Sequence, residues 1–476
     1  MSSAHQTQST PTAHPLLCTT FTPAQLLDRF QQLLPPKLLD SWLALAGKKR
    51  YKRAFSPLIT LWYCVSQRLG FKPTLSQVVA DAREGGADHL SPADKPLSKE
   101  LTSESTSSYS DARQRLPTEI LRQTVHHTAT SMAATLQIPK FFGLLVALLD
   151  GTTSRMRSLG DIPEEFPPHR PGNCKQDPYW CLVRVVGLIC LATGCVLDCV
   201  LGTPKASEQA LSLLLFRRSW QGWLLVGDRN FGVYSVVRAA VAVQAQVLVR
   251  LTQVRAAKLA RAAGHSLVAG LDVALAWCAS PQDQCPAELS RDSVPGRLLA
   301  VLIERPGFRP VTLYLFTTLT DTVQCPAQEL AGLYGQRWQI ELCFRYLKTQ
   351  MDLGFLNCKS AQMAQKEWLA GLIAYNLIRW TMAVAAATAK VAVSKLSFSR
   401  TRELLAGWCL RSAVRGWTIE SWERLLVRIA KARLPQRRKL RPSEPRAVRP
   451  FHKDVAKLFG SRAEARERLA KENANS

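Results

Sequence analysis

The run FFGLLVALLDGTT at residues 141–153 decides how this chain is read. A short apolar stretch ends in an acid, Asp150, and gives way to Gly-Thr-Thr. That predicts a buried strand with a carboxylate at its terminus, where the chain turns. The same pattern recurs at WLLVGD (223–228), where Asp228 closes an apolar run before Arg-Asn-Phe-Gly. Between the two acids lie strand-like WCLVRVVGLIC (180–190) and GCVLDCVLGT (194–203), then helix-like SEQALSLLLFRR (207–218). After Asp228 come helix-like VYSVVRAAVAVQA (233–245) and strand-like VLVRLT (247–252). Three strands, helix, strand, helix, strand is the order of a mixed α/β sheet. Ligands gather outside the carboxyl ends of strands in open α/β sheets, so two acids in equivalent settings are expected to converge there. Taken singly, each acid has a plainer reading as a turn or helix-cap residue.

Farther along, AQELAGLYGQRWQIELCFRYLKTQM (327–351) has helical periodicity, with Tyr334, Arg337, Glu341 and Lys348 spaced by three, four and seven residues. At roughly 100° per residue, all four project within an arc of about 60°. A solvated face with an Arg337–Glu341 pair accounts for two of them but leaves Lys348 unexplained. Phosphodiester chemistry accounts for the set. Two Mg²⁺ ions about 3.5 to 4 Å apart activate an attacking oxygen and stabilise a leaving one, and they take carboxylate ligands. Asp150, Asp228 and Glu341 are therefore the candidate metal ligands and catalytic acids, with Mn²⁺ able to substitute. Arg337 and Lys348, with Arg229 beside Asp228, would face phosphates, and Tyr334 would donate to a phosphate oxygen or support the helix. None of the eight histidines is near these acids in sequence, which argues against a zinc hydrolase.

The rest of the chain fits a polyanion partner. Its 62 Lys and Arg against 36 Asp and Glu leave a formal charge of +26, pointing to nucleic acid unless the basicity only reflects the source proteome. Six domain-level segments are expected: a disordered tail (1–20), a helical N-terminal DNA-binding unit (21–140), the first part of a catalytic core (141–252), a β-rich insertion (253–320), the second part of the core with the Glu341 helix (321–395), and a basic C-terminal region (396–476). From Arg428 to Lys453 ten basic residues meet a single acid, Glu444, so Arg437, Arg438 and Lys439 are candidate backbone contacts on an arm. Lys48, Lys49, Arg50, Lys52 and Arg53 form a second basic cluster. The thirteen cysteines show no zinc-ligand pairing and read as buried thiols in a reducing compartment. No secretory signal is visible. Leu182–Gly202 and Trp368–Ala389 are apolar enough to raise a membrane reading. Arg184 and Asp198 in the first, and Asn376 and Arg379 in the second, favour buried strands and a buried helix.

The string YGQRWQIELCFRYLK matches Y-x2-R-x3-E-x6-K at Tyr334, Arg337, Glu341 and Lys348, and so resembles the IS-four family of bacterial insertion-sequence transposases. LLDGT around Asp150 and VGDRNF around Asp228 resemble that family's other two acidic motifs, in the same order. The likeness is close over residues 141–385 and looser outside them. It implies a ribonuclease-H-like core with a β-rich insertion. It also implies cut-and-paste movement of an element with terminal inverted repeats: water attacks a phosphodiester, and the freed 3′-hydroxyl then attacks the opposite strand or the target. Partners implied are double-stranded DNA at the terminal repeats and the target, and a second copy of the chain on DNA, in the bacterial cytoplasm at the nucleoid, with no membrane. Family members that form hairpin ends stack a flipped base on an aromatic of the insertion. Trp277 is the only Trp there, in no matching motif, and reads as core. Two other readings are a structure-specific nuclease or resolvase on the same core, and a non-catalytic DNA-binding relic.

Overall fold

The computed structural model describes residues 16–34, 36–45, 47, 53–70, 74–91, 95–168, 180–281, 283, 291–303, 311–434, 461, 463–464, 467–468 and 470–471. Among them, nine strands make one sheet: β1 (Leu145–Arg157), β2 (Trp180–Cys190), β3 (Val196–Gly202), β4 (Trp223–Gly227), β5 (Gln246–Arg250), β6 (Asp272–Trp277), β7 (Val294–Ile303), β8 (Val311–Thr317) and β9 (Phe355–Leu356). The spatial order is β3-β2-β1-β4-β5-β8-β7-β6, with β9 also against β1. The first three strands run antiparallel, whereas β4 and β5 lie parallel to β1. Parallel neighbours need crossovers, supplied here by the helices Glu208–Leu213 and Tyr234–Ala242. The molecule is thus the mixed α/β protein that the alternation of patterns implies.

One expectation needs correcting. β1 does not end at Asp150 but continues through Gly151, Thr152 and Thr153 to Arg157, because β2 pairs with it from Ala147–Cys190 to Arg157–Trp180. What ends there is the parallel partner: the last β4 pair is Leu149 with Gly227. Beyond Leu149 the strand has lost β4 on one side, and β9 pairs with it only at Arg155 and Met156.

Residues 253–320 form the helix Gln253–Ala262 and β6 to β8, and β8 joins β5 through pairs such as Val249–Phe316. The insertion therefore extends the central sheet. Trp277 is buried, with its ring edge-on to Phe316 at 4.8 Å and to Tyr234 at 6.4 Å, a core aromatic.

The helix Ala361–Thr388 runs through the core. It is the one described helix long and apolar enough to cross a membrane, yet its residues are covered by protein. The polar residues that interrupt its apolar pattern are paired. Asn376 Nδ2 donates to Val125 O, Thr128 Oγ1 and Val196 O, and its Oδ1 accepts from Val196 N, joining this helix to Thr118–Thr135 and to β3. Arg379 Nε donates to Thr193 O at 2.8 Å. A buried amide left without partners would cost about 1–3 kcal/mol per group, so this satisfaction keeps the helix in place.

Helices within residues 21–140 contribute Leu26, Phe30, Leu61 and Val125 to the same hydrophobic core as the sheet, while Phe55, Tyr63, Val78 and Tyr109 form a smaller second cluster. Phe30 meets Trp380, Trp408, Trp417 and Trp422, fastening the N-terminal helices to the C-terminal ones. The first residues of the basic arm expected from Arg428 are helical. Arg428 and Lys431 stand on the last turn of the amphipathic helix Ile419–Lys431, which buries Trp422, Leu425, Leu426 and Ile429. Arg437, Arg438, Lys439, and the cluster Lys48, Lys49, Arg50 and Lys52, lie outside the described residues. Every described cysteine is a free thiol, most of them buried.

Candidate active site

Strand register brings the two aspartates together. Leu149 pairs with Gly227, so Asp150 and Asp228 are the next residues on adjacent parallel strands, whose backbones run about 5 Å apart. Each carboxylate is anchored locally: Asp150 Oδ1 accepts from Gly151 N at 2.8 Å, and Asp228 Oδ1 accepts from Asn230 N at 2.8 Å. These bonds stop the side chains from swinging out along their strands.

Glu341 reaches the same place from far along the chain, through Arg337. The Arg337 guanidinium donates from Nη1 to Asp150 Oδ2 at 3.0 Å and from Nη2 to Glu341 Oε1 at 3.0 Å. The i,i+4 pairing expected as the plain alternative is real, but the same fork also grips an acid 187 residues away in sequence. Planar guanidinium suits this two-armed task as an ammonium would not.

The segment carrying these residues is not one α-helix. It runs as an α-helix Ala327–Gly335, a 3₁₀ turn Gln336–Trp338, an α-helix Gln339–Arg345 and a π turn Tyr346–Gln350. A 3₁₀ turn winds more tightly and a π turn more loosely than 3.6 residues per turn, so the single 60° arc expected from uniform phase does not hold. Tyr334 is buried, Glu341 is 63% exposed, and Lys348 is intermediate. Burial pushes the Tyr334 phenol up, while Arg337 and Arg250 nearby hold it down. Burial also pulls the Lys348 ammonium below the usual lysine range, and no hydrogen-bond or ion partner holds it among the described residues. Arg229 is exposed beside Asp228.

One residue at the site, Glu208, has no signal in the sequence. Glu208, at the start of the helix Glu208–Leu213, accepts from Asn230 Nδ2 through Oε2 at 2.7 Å. Its carboxylate also lies against Gly151, where an added Cβ would sit only 2.4 Å from Oε1. In the sequence, an acid following Ser207 in a helix's first turn reads as an ordinary partner of the helix dipole. Only its face distinguishes it, and that is a tertiary fact.

The site is negative and short of countercharge. Burial, and then the Asp228 and Glu208 carboxylates, push Asp150 up to about 6, against the Gly151 amide and Arg337, which pull it down. A divalent cation would relieve that pressure, and hard carboxylate oxygens are the donors Mg²⁺ and Mn²⁺ prefer. Among the described residues no group of three acids stands ready to hold a metal ion, and Arg337 lies between Asp150 and Glu341. The donor set thus fits a divalent ion, provided Arg337 gives way to it.

Residues 142–377 match the family model described as a transposase DDE domain. Over 354 residues the chain is 26% identical to the transposase InsG for insertion sequence element IS4 of Escherichia coli (strain K12), covering 73% of this chain and 75% of that protein. Among solved structures, a piggyBac transposase synaptic complex with hairpin DNA aligns over 87% of this chain and 86% of that one, at 9% identity and a TM-score of 0.38, too loose to bear on the fold.

Proposed function

Since this chain is a DDE transposase of the IS4 type, an enzyme of DNA transposition, we propose that Asp150, Asp228 and Glu341 are its catalytic triad. The observation that carries this reading is that one guanidinium grips both Asp150 and Glu341, while strand register sets Asp228 beside Asp150. The β1-β2-β3 antiparallel order with β4 and β5 parallel to β1 supports a ribonuclease-H-like core, to which the helices of residues 21–140 add a DNA-binding unit and β6 to β8 the insertion.

Divalent ions are expected of a DDE enzyme. Here Asp150, Asp228 and Glu341 would hold them, two Mg²⁺ with Mn²⁺ as substitute, and the ions would supply Lewis acidity and an activated water or 3′-hydroxyl. The protein's own groups do the rest. Asp150 must lose its proton to serve, which its environment resists below about pH 6. Arg337, freed from the two acids, can turn its fork to a phosphate, and Lys348 and Arg229 add charge against the same backbone. Tyr334, buried beside Arg337, would support that side chain. The tail around Arg437, Arg438 and Lys439 would neutralise phosphates without reading sequence.

On this reading the enzyme cuts at terminal inverted repeats and joins the freed 3′-end to target DNA, acting as a homodimer on DNA at the bacterial nucleoid. The test is strand transfer of a labelled terminal-repeat duplex by purified protein with Mg²⁺. Joined products that vanish with Glu341→Gln are the expected result. Cleavage without joining would make the protein a structure-specific nuclease; binding without either would make it an inactive relic.

A further inference from the structure

We propose that Glu208 is a positioning residue for the catalytic aspartates: it clips the Asp228 loop to the Asp150 strand. Two contacts carry this. Its Oε2 accepts from Asn230 Nδ2 at 2.7 Å, and Asn230 N in turn donates to Asp228 Oδ1 at 2.8 Å. Its Oε1 lies over Gly151, the residue after Asp150, in space that exists only because Gly151 has no Cβ. Gly151 N donates to Asp150 Oδ1 at 2.8 Å. Glu208 therefore touches the immediate support of each aspartate. The adjacent Gln209 reinforces the loop by donating from Nε2 to Asn230 O at 2.8 Å.

The glycine is the independent sign. Gly151 sits within β1, paired with Val186 of β2, and its φ is not in the left-handed region. No backbone conformation demands a glycine there; the approach of the Glu208 carboxylate does. The helix Glu208–Leu213, which packs on β2 and β3, is thereby tied at its first residue to Asn230 and Gly151, the neighbours of the two aspartates. Partners that orient metal ligands typically change metal affinity by about 10- to 100-fold when removed.

This inference rests on the reading of Asp150 and Asp228 as metal ligands, and its test separates the two. Mn²⁺ is titrated calorimetrically into the metal-free full-length protein without DNA, so that no turnover is involved. Glu208→Ala, Asn230→Ala and Gly151→Ala should each weaken Mn²⁺ binding by about tenfold or more, the last by driving Glu208 from its place. Glu208→Gln, whose amide oxygen still accepts from Asn230, should bind within a few-fold of the parent. Thermal midpoints, measured on the same samples, should change little. Parent-like binding by Glu208→Ala and Gly151→Ala, alongside loss in Asp150→Asn, would overturn the clip and leave the triad standing. Equal weakening in Glu208→Gln and Glu208→Ala at unchanged stability would also overturn it, since charge rather than positioning would then be at work. Parent-like binding by Asp150→Asn would bring down the triad reading, and the clip with it.

Discussion

Two helical segments follow one another along this chain and could hardly be built more differently. Ala361–Thr388 is an unbroken α-helix of 28 residues, buried nearly all round, with Asn376 and Arg379 bonded to the strands and helices around them. The segment from Ala327 to Gln350 changes winding three times, passing through 3₁₀ and π turns, and exposes Glu341 while burying Tyr334. The first is regular because packing dictates every face. The second departs from regular winding at the 3₁₀ turn whose Arg337 grips Asp150 and again at the π turn, and such departures are frequent at functional sites. One segment holds the fold and the other serves the site, so mutations should separate stability from activity along this boundary.

The largest effect is expected from Glu341→Gln. DNA cleavage should fall by more than about a hundredfold, beyond the loss that outer partners of metal ligands cause. Because Glu341 is 63% exposed, unfolding free energy should stay within about 0.5 kcal/mol of the parent. A cleavage rate near the parent's would remove Glu341 from the site. The converse variant is Asn376→Ala, which takes from Val196 N–H and Val196 O the amide that bonds both. It should cost about 2–3 kcal/mol of stability by denaturant titration. A midpoint that does not move would show that the core helix is not the rigid half of the pair.

A smaller effect follows from Asp150, whose carboxyl is pushed up to about 6 by burial and by Asp228 and Glu208. A group raised in the folded state contributes stability that is fully present below its unfolded value and is lost as pH rises through the folded one. The metal-free protein should therefore lose about 1–3 kcal/mol between roughly pH 4 and pH 6 from this group, a slope that Asp150→Asn should abolish. Divalent-ion binding should show the opposite trend and strengthen through about pH 6, because the ligand must first be deprotonated. The smallest effect is expected from Arg337→Ala. Loss of its charge should move the half-point of that binding curve upward, by about one pH unit or less; a downward move would mean that Arg337 does not hold Asp150 ionised.

The contrast between the two segments also marks what could be read in advance. The alternation of apolar runs announced a mixed sheet, and the order of β1 to β5 with their crossover helices follows it. The acid at each run's end, and the spacing of Tyr334, Arg337, Glu341 and Lys348, named the residues from which the site is proposed. The expectation failed where it assumed uniform geometry, in a turn after Asp150 and a single helix from 327 to 351. Pairing with β2 decided the first, and the 3₁₀ and π turns decided the second.

By itself, then, the sequence determined the residue types and their order, because apolar periodicity and carboxylate placement are local properties of a chain. The tertiary structure alone decided that Asp150 and Asp228 share a register, that one guanidinium spans Asp150 and Glu341, and that Glu208 fits against Gly151. Those relations join positions tens to nearly two hundred residues apart, and only the closing of the sheet and the seating of the helices on it fix such distances.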